Sequence, residues 1–240
     1  MEAYDPDGTN HRKFFYENFD KAIYSGVPGS AVRAYQRKIL KRIPAVEDGR
    51  YLELGSHALE LTQQLTGRIR GFKLLAALDL AKPEQLTRSR AERLASEDNL
   101  RVELIQGDAS RLPFCDESFD VVFHGCLLHH LERPLECVNE IRRVLRPGGT
   151  AVFYLPCDPG FALRVIQRVL TQRSARRLMG SKSMSVDFLW AIEHRNHYSS
   201  LLKMIRYVCQ SDTIMTFGYP IRWRFWNLKL FDVLVVNKMS

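Results

Sequence analysis

Between residues 50 and 156 the chain alternates short apolar runs with amphipathic segments. Residues 51–55 (YLELG) read as a strand, followed by a helix to about residue 65. Residues 73–80 (KLLAALDL) read as a second strand, and 83–97 (PEQLTRSRAERLASE) as a helix with Pro83 in its first turn. Strands are predicted at 100–108 and 119–127, a helix at 134–145 stopped by Arg146-Pro147-Gly148-Gly149, and a strand at 150–156. Five strands separated by helices predict a parallel, doubly wound α/β sheet with helices on both faces. The ends differ. Residues 10–43 read as two helical pieces broken at 25–30 (SGVPGS), the first crowded with Phe14, Phe15, Tyr16, Phe19 and Tyr24, which suits a cap or lid. Helices are predicted at about 160–180 and 196–210, then strands at 213–220 and 227–236 with no helix between them. That pattern predicts an antiparallel hairpin closing the sheet.

Composition adds limits. A chain of 240 residues, 45% hydrophobic and 26% charged, suits one ordinary globular domain. No apolar run reaches the ~18–20 residues that cross a bilayer. The start, MEAYDPDGTN, has neither a basic nor an apolar leader region, so a cytoplasmic protein is expected. Cys115, Cys126, Cys137, Cys157 and Cys209 include no CxxC pair and are odd in number, which predicts reduced thiols. The net charge of +8 admits an anionic partner: a phosphate-bearing substrate, a membrane surface or nucleic acid.

In an open α/β sheet, ligands bind beyond the carboxyl ends of the strands. Here those ends carry residues suited to a nucleoside. Glu53 and Gly55 end the first strand, Asp79 the second, Asp108 follows the third, and His124, Gly125 and Cys126 end the fourth. A glycine lets the backbone approach a ligand closely. A carboxylate after the second strand can accept both hydrogens of a ribose diol, and one after the third an adenine amino group. A carboxylate by the first loop suits a ligand bearing an ammonium.

With ELG (53–55), LDL (78–80), QGDASRLPFCDESFDVVFHGCLLHHLERP (106–134) and EIRRVLRPGGTAVFYLP (140–156), the chain resembles the class I S-adenosylmethionine-dependent methyltransferases. The resemblance implies a Rossmann-like, mostly parallel seven-stranded sheet with an antiparallel end. It also implies S-adenosyl-L-methionine as cofactor and S-adenosyl-L-homocysteine as product. Asp79, with Leu80 beside it, would hold the ribose, and Asp108 with Ala109 the adenine. Leu112 and Phe114 would pack near the ring, Glu53, Gly55, Ser56 and His57 would line the methionine end, and His124 would border it. YSGVPG (24–29), LPCDPG (155–160), EHRNHY (193–198) and WNLKLF (226–231) are similar to a bacterial subgroup associated with surface-polysaccharide or other secondary biosynthesis. The family's first loop commonly reads E-x-G-x-G-x-G. This chain has His57 and Leu59 at the second and third glycine positions, and 26 residues separate Glu53 from Asp79, a longer interval than usual that points to an insertion at GRIRGF.

The single domain then divides into a cap (1–48), a cofactor-binding core (49–156), a helical acceptor-side insertion (157–211) and the terminal hairpin (212–240). The acceptor is expected to be a small molecule or a glycan or lipid-linked compound, methylated at oxygen or nitrogen. His129 and His194 are the candidate bases, with Tyr24, His130, His197 and Tyr198 on the acceptor side. His57 is either ligand-facing or a solvent-facing turn residue. His194 and His197 stand at i, i+3 spacing with no Asp or Cys at ligand spacing, so no metal is expected. The basic segment 161–182, with Arg164, Arg168, Arg173, Arg176, Arg177 and Lys182, suits peripheral contact with an anionic membrane, helped by Trp223 and Trp226. Nucleic acid is the less favoured partner, for want of an RNA-binding module or an (N/D)PP(Y/F) tetrapeptide after the fourth strand. A homodimer is open, as is a second reading: a non-catalytic methyltransferase-like subunit, motivated by His57 and Leu59.

Overall fold

A computed structural model describes residues 26–66, 71–98, 100–166, 168, 193–220 and 225–239. Tyr24 and the other N-terminal aromatics, positions 169–182 of the basic segment, Trp223 and most of the GRIRGF turn lie outside the described residues. The elements run α1 (Gly26–Leu40), β1 (Gly49–Leu54), α2 (Glu60–Thr66), β2 (Phe72–Asp79), α3 (Gln85–Asp98), β3 (Arg101–Gln106), β4 (Phe119–His124), α4 (Pro134–Val144), β5 (Leu145–Pro156), α5 (Phe161–Ile166), α6 (Tyr198–Val208), β6 (Thr213–Tyr219) and β7 (Phe231–Asn237). They form a seven-stranded sheet in the order β3-β2-β1-β4-β5-β7-β6. β1 to β5 are parallel, and β7 runs antiparallel to both β5 and β6. The expected doubly wound sheet with a terminal hairpin is therefore what forms. Among the described residues, no helix is long and apolar enough to cross a membrane.

Alternation along the strands divides the core into two layers. Leu52 and Leu54 of β1, Val122 of β4 and Phe153 of β5 pack with Val138 and Ile141 of α4 and with Leu201 and Ile205 of α6. Tyr51, Val121, Phe123 and Val152 pack on the other face with Ile39 and Leu40 of α1 and Leu61 and Leu65 of α2. Both faces are covered, which is why the central strands read as continuous apolar runs rather than as alternating ones.

Several boundaries correct the expectations. α1 starts at Gly26, inside the predicted break. Pro28 is compatible because the first helical amides have no intrahelical acceptor to lose. Pro83 precedes α3, which starts at Gln85. α4 ends at Val144, and Arg146-Pro147-Gly148-Gly149 form an irregular part of β5 rather than a loop. Leu145 pairs with Phe119 before the register shifts and Thr150 takes up Val121. A Cβ on Gly149 would lie 2.9 Å from Arg146 O and 3.0 Å from Asp120 O, so glycine lets this bulge close. Residues 226–228 form a 3-10 turn before β7. His194 and His197 do not share a helix face: the backbone is irregular at 194–197, and His197 is the N-cap of α6.

Candidate active site

β1 lies between β2 and β4, at the point where the strand order reverses and α/β proteins place their ligands. The loop leaving β1 has three left-handed residues, Gly55 (φ 66°), His57 (φ 42°) and Leu59 (φ 62°). These are the three glycine positions of the family's loop. The backbone shape is kept where two of the glycines are not, at a cost of roughly 1 kcal/mol for each non-glycine residue. Leu59 offsets that cost by packing. It is fully buried against Ala77, Ala91 and Leu94, and so ties the loop to β2 and α3. His57 is turned outward, with its side chain 54% exposed and Nδ1 3.8 Å from Glu60 Oε2.

The loop closes on β2. Gly55 N and Ser56 N both point to Leu78 O, at 2.8 and 3.3 Å. His57 N donates to Asp79 Oδ2 at 2.9 Å, and Ala81 N donates to Asp79 Oδ1 at 3.0 Å. Asp79 thus holds its own strand end and the loop together. It keeps lone pairs for a diol, because an ionised carboxylate has about four acceptor sites. Leu80 beside it is 74% exposed and offers an apolar surface at the strand edge. Replacing His57 with glycine should relieve the left-handed strain while leaving the Asp79 contact in place. We expect Tm to rise, corresponding to about 0.5–1 kcal/mol, with unchanged or tighter cofactor binding. A fall in both would show that the His57–Glu60 pair is needed.

After β3, Asp108 accepts Ser110 N on Oδ1 and Arg133 Nη2 on Oδ2, both at 2.8 Å. The Ser110 amide, helped by Arg133, holds its carboxyl below the usual range. The following residues are clamped from behind by α4. Leu112 N donates to Glu140 Oε2 at 2.7 Å, and Arg143 reaches Leu112 O, Phe114 O and Asp116 at 3.1, 2.8 and 2.7 Å. Leu112 is buried, and Phe114 packs edge-on against Phe119 at 4.8 Å. Leu112 therefore belongs to the core rather than to the surface expected beside the ring, whereas Phe114 is partly buried against that core. Ala109 is also buried.

Glu53 is 2% exposed and hydrogen-bonded to Thr62 Oγ1. Burial pushes its carboxyl up to about 8. His124 corrects its expectation as well. It is buried in the layer of α4, edge-on to Phe153 at 5.6 Å, with neither ring nitrogen hydrogen-bonded. Burial pushes its pKa down to about 3, so the ring is neutral.

The edge formed by β4 and β5 holds a histidine group. The His129 and His130 rings are 3.9 Å apart, and His194 lies 4.7 and 5.3 Å from them. The segment 193–196 is bonded directly to the turn after β4. Arg195 N and Asn196 N donate to His129 O at 2.9 and 3.1 Å, and Asn196 Nδ2 donates to Leu128 O and Leu131 O at 3.1 and 2.6 Å. His130 Nδ1 is 2.9 Å from Glu193 O. His129 is 2% exposed, and burial followed by the neighbouring imidazoles pushes its pKa well down. His194 Nδ1 is 2.7 Å from Asp158 Oδ2, while Arg164 Nε lies 3.3 Å from Asp158 Oδ1. Asp158 escaped the sequence reading although it stands inside LPCDPG; its partner is 36 residues away. One acceptor-side expectation fails here. Tyr198 is 4% exposed, its hydroxyl donates to Asp232 and its ring stacks on Trp226 at 5.6 Å. His197 is exposed and makes no side-chain cap bond.

A left-handed loop folded onto a strand-end aspartate, beside a second aspartate after β3, stands at the carboxyl edge where α/β proteins place their ligands. Residues 52–153 match the family model described as Methyltransferase domain. The fold and this domain are those of the class I S-adenosylmethionine-dependent methyltransferases. The ubiquinone/menaquinone biosynthesis C-methyltransferase UbiE of Roseobacter denitrificans is 41% identical over 80 residues, 33% of this chain and 31% of that protein. A malonyl-[acyl-carrier protein] O-methyltransferase of a Marinomonas strain is 29% identical over 153 residues, covering 62% of this chain and 54% of that one. The match thus spans about a third and about half of these relatives. A putative methyltransferase of Bacillus halodurans, solved as a crystal structure, shares the fold at a TM-score of 0.57 and 18% identity, covering 86% of this chain and 100% of that one.

The residues present fit the cofactor of this class. A Cβ on Gly55 would press on Leu127 Cδ1 at 3.2 Å, so the loop is as close to the β4 end as a glycine allows. Asp79 and Asp108 face the strand edge partly exposed. Glu53 is a buried carboxyl to which a cationic ligand end would bring a counter-charge.

Proposed function

We propose that this chain transfers a methyl group from S-adenosylmethionine to a small-molecule acceptor. One observation carries the reading: all three glycine positions of the cofactor loop keep their left-handed backbone, and the loop is latched to Asp79. A ruined loop would have no reason to hold that shape against the cost of His57 and Leu59. Asp79 would take the ribose hydroxyls, Asp108 the adenine amino group, and Glu53 with the Gly55–Ser56 backbone the methionine end. The cofactor supplies an activated methyl group on a sulfonium. The chain supplies alignment for in-line displacement, which contributes about 7–11 kcal/mol in well-oriented systems.

The acceptor would sit at the β4–β5 edge, beside the His129–His130–His194 group. His194 is better placed than His129 to take its proton, being partly exposed and oriented by Asp158 in the manner of a base and its positioning carboxylate. The two relatives named for small-molecule or acyl-carrier acceptors support a small molecule over nucleic acid. A lipid-linked acceptor has its own support: α5 presents Phe161, Val165 and Ile166 at 69%, 45% and 38% exposure beside Arg164. Co-sedimentation with anionic vesicles checks it, and no binding at low salt removes it.

The test is titration with S-adenosylhomocysteine by calorimetry, with Asp108→Ala alongside. Micromolar binding, weakened at least about tenfold in the variant, supports the reading. No binding by a folded protein overturns it in favour of the non-catalytic subunit.

A further inference from the structure

We infer that Cys126, His129 and His130 form a binding site for a borderline-soft divalent cation, zinc first of all. Cys126 Sγ and one nitrogen of each imidazole lie within 4.8 Å of one another. Cys126 Sγ is 3.5 Å from His129 Nε2. A tetrahedral zinc about 2.3 Å from sulfur and about 2.0–2.1 Å from nitrogen sets those two atoms roughly 3.5 Å apart. That edge of the tetrahedron is therefore already formed, and a modest inward movement of His130 completes the triangle.

Three further features fit a cation better than a hydrogen-bond network. His129 is 2% exposed, yet its Nδ1 has no hydrogen-bond partner and its Nε2 faces a thiol. An imidazole buried in that way is poorly satisfied as a hydrogen-bonding group and well matched as one arm of a metal site. His130 Nδ1 is engaged by Glu193 O at 2.9 Å. The carbonyl fixes the proton on Nδ1 and leaves Nε2 with its lone pair, as the outer partners of metal-bound histidines do. The third feature is the neighbouring Asp158–His194 pair, with Nδ1 again the engaged nitrogen and the ring 4.7 Å from His129. A carboxylate-held imidazole thus borders the cluster.

The donor set selects the ion. One thiolate and two imidazoles suit zinc and disfavour magnesium or calcium, which take oxygen. The C-x-x-H-H run at 126–130 is brought to ligand distance by the turn after β4, in which His130 N bonds Leu127 O at 2.9 Å. Three protein ligands leave a coordination position for solvent or an acceptor heteroatom. Polarising an acceptor hydroxyl there would help His194 remove its proton. That role rests on the methyl-transfer reading; the cation site itself does not.

Zinc alone is the probe, added to the full chain without cofactor and followed by gel filtration and elemental analysis. We expect about one zinc per chain, lost in Cys126→Ala and retained in Cys115→Ala. Cobalt in place of zinc should give the intense visible bands of a tetrahedral ion with a thiolate charge-transfer band, and Cys126→Ser should remove that band. Because His129 is buried and its variants risk misfolding, the exposed Cys126 carries the test. Zinc absent from folded wild-type protein, or undiminished in Cys126→Ala, overturns the site. Titration of the same metal-free samples with S-adenosylhomocysteine separates this failure from failure of the methyltransferase reading, since cofactor binding does not require the cluster.

Discussion

Binding of S-adenosylmethionine is expected to release about one proton near pH 7, because Glu53 is protonated in the free protein and ionised in the complex. In the free protein burial holds its carboxyl up at about 8. A cation at the methionine end favours the ionised form and lowers that value. Between the lowered value and 8 the complex then binds fewer protons than the free protein, so affinity rises with pH and levels off above 8. Calorimetry in buffers of different ionisation enthalpy reads the proton directly. Glu53→Gln should abolish the release, flatten the pH profile and weaken binding about tenfold or more. An unchanged affinity with no proton released would reduce Glu53 to an anchor for Thr62. The same shift has a stability consequence. Its folded-state value lies above the unfolded 4.5, so the contribution is complete below that pH and is lost as pH rises through about 8. The pH-dependence of urea denaturation should shrink in Glu53→Gln.

The second large effect concerns the support behind the acceptor side. Asp232 is fully buried, holds Lys229 Nζ at 2.7 and 2.6 Å through both oxygens, and accepts the hydroxyl of Tyr198. This joins α6 to β7. The backbone adds to it where Tyr198 N donates to Asp158 O at 3.0 Å, beneath the His194 pair. Asp232→Ala leaves a buried ammonium and a buried phenol without their acceptor. We expect a loss of about 3–5 kcal/mol in urea denaturation. Replacing both partners, Lys229→Met with Asp232→Leu, should recover most of it, since removing a buried pair together costs far less than breaking it. Equal losses in the single and double variants would show that the Tyr198 bond, not the ion pair, carries the effect.

Much of the architecture was legible along the chain. Strands β1, β2, β4 and β5 are covered on both faces, so each is an unbroken apolar run, and the breaks between runs mark the helices. The hairpin at the end was legible because no helical stretch separates its two strands. Boundaries were less so. Arg146-Pro147-Gly148-Gly149 has the composition of a helix stop, but Leu145 pairs with Phe119 across β4 and draws the segment into β5. A partner far along the chain decided that.

The site divides in the same way. Asp79 and Asp108 could be placed from their own strands, because a residue at a strand's carboxyl end reaches the ligand edge wherever its neighbours lie. Leu112, His124 and Tyr198 could not be placed so simply: each belongs to a suitable segment, but packing turns it into the core. Whether a side chain faces ligand or core depends on what stands opposite, and local sequence does not carry that. For His57 and Leu59 the sequence showed only two missing glycines. The structure shows that their backbone remained left-handed, with Leu59 anchored on Ala77, Ala91 and Leu94.

By itself, then, the sequence determined the order of strands and helices and the place of Asp79 and Asp108 at the carboxyl ends of their strands, because these follow from local periodicity and strand ends. Only the tertiary structure decided the pairing of Asp158 with His194, the burial of Glu53, and the meeting of Cys126 with His129 and His130. The first two depend on contacts between segments that close against one another, and the third on the exact shape of one turn; their energies come from desolvation and geometry, which residue order alone does not carry.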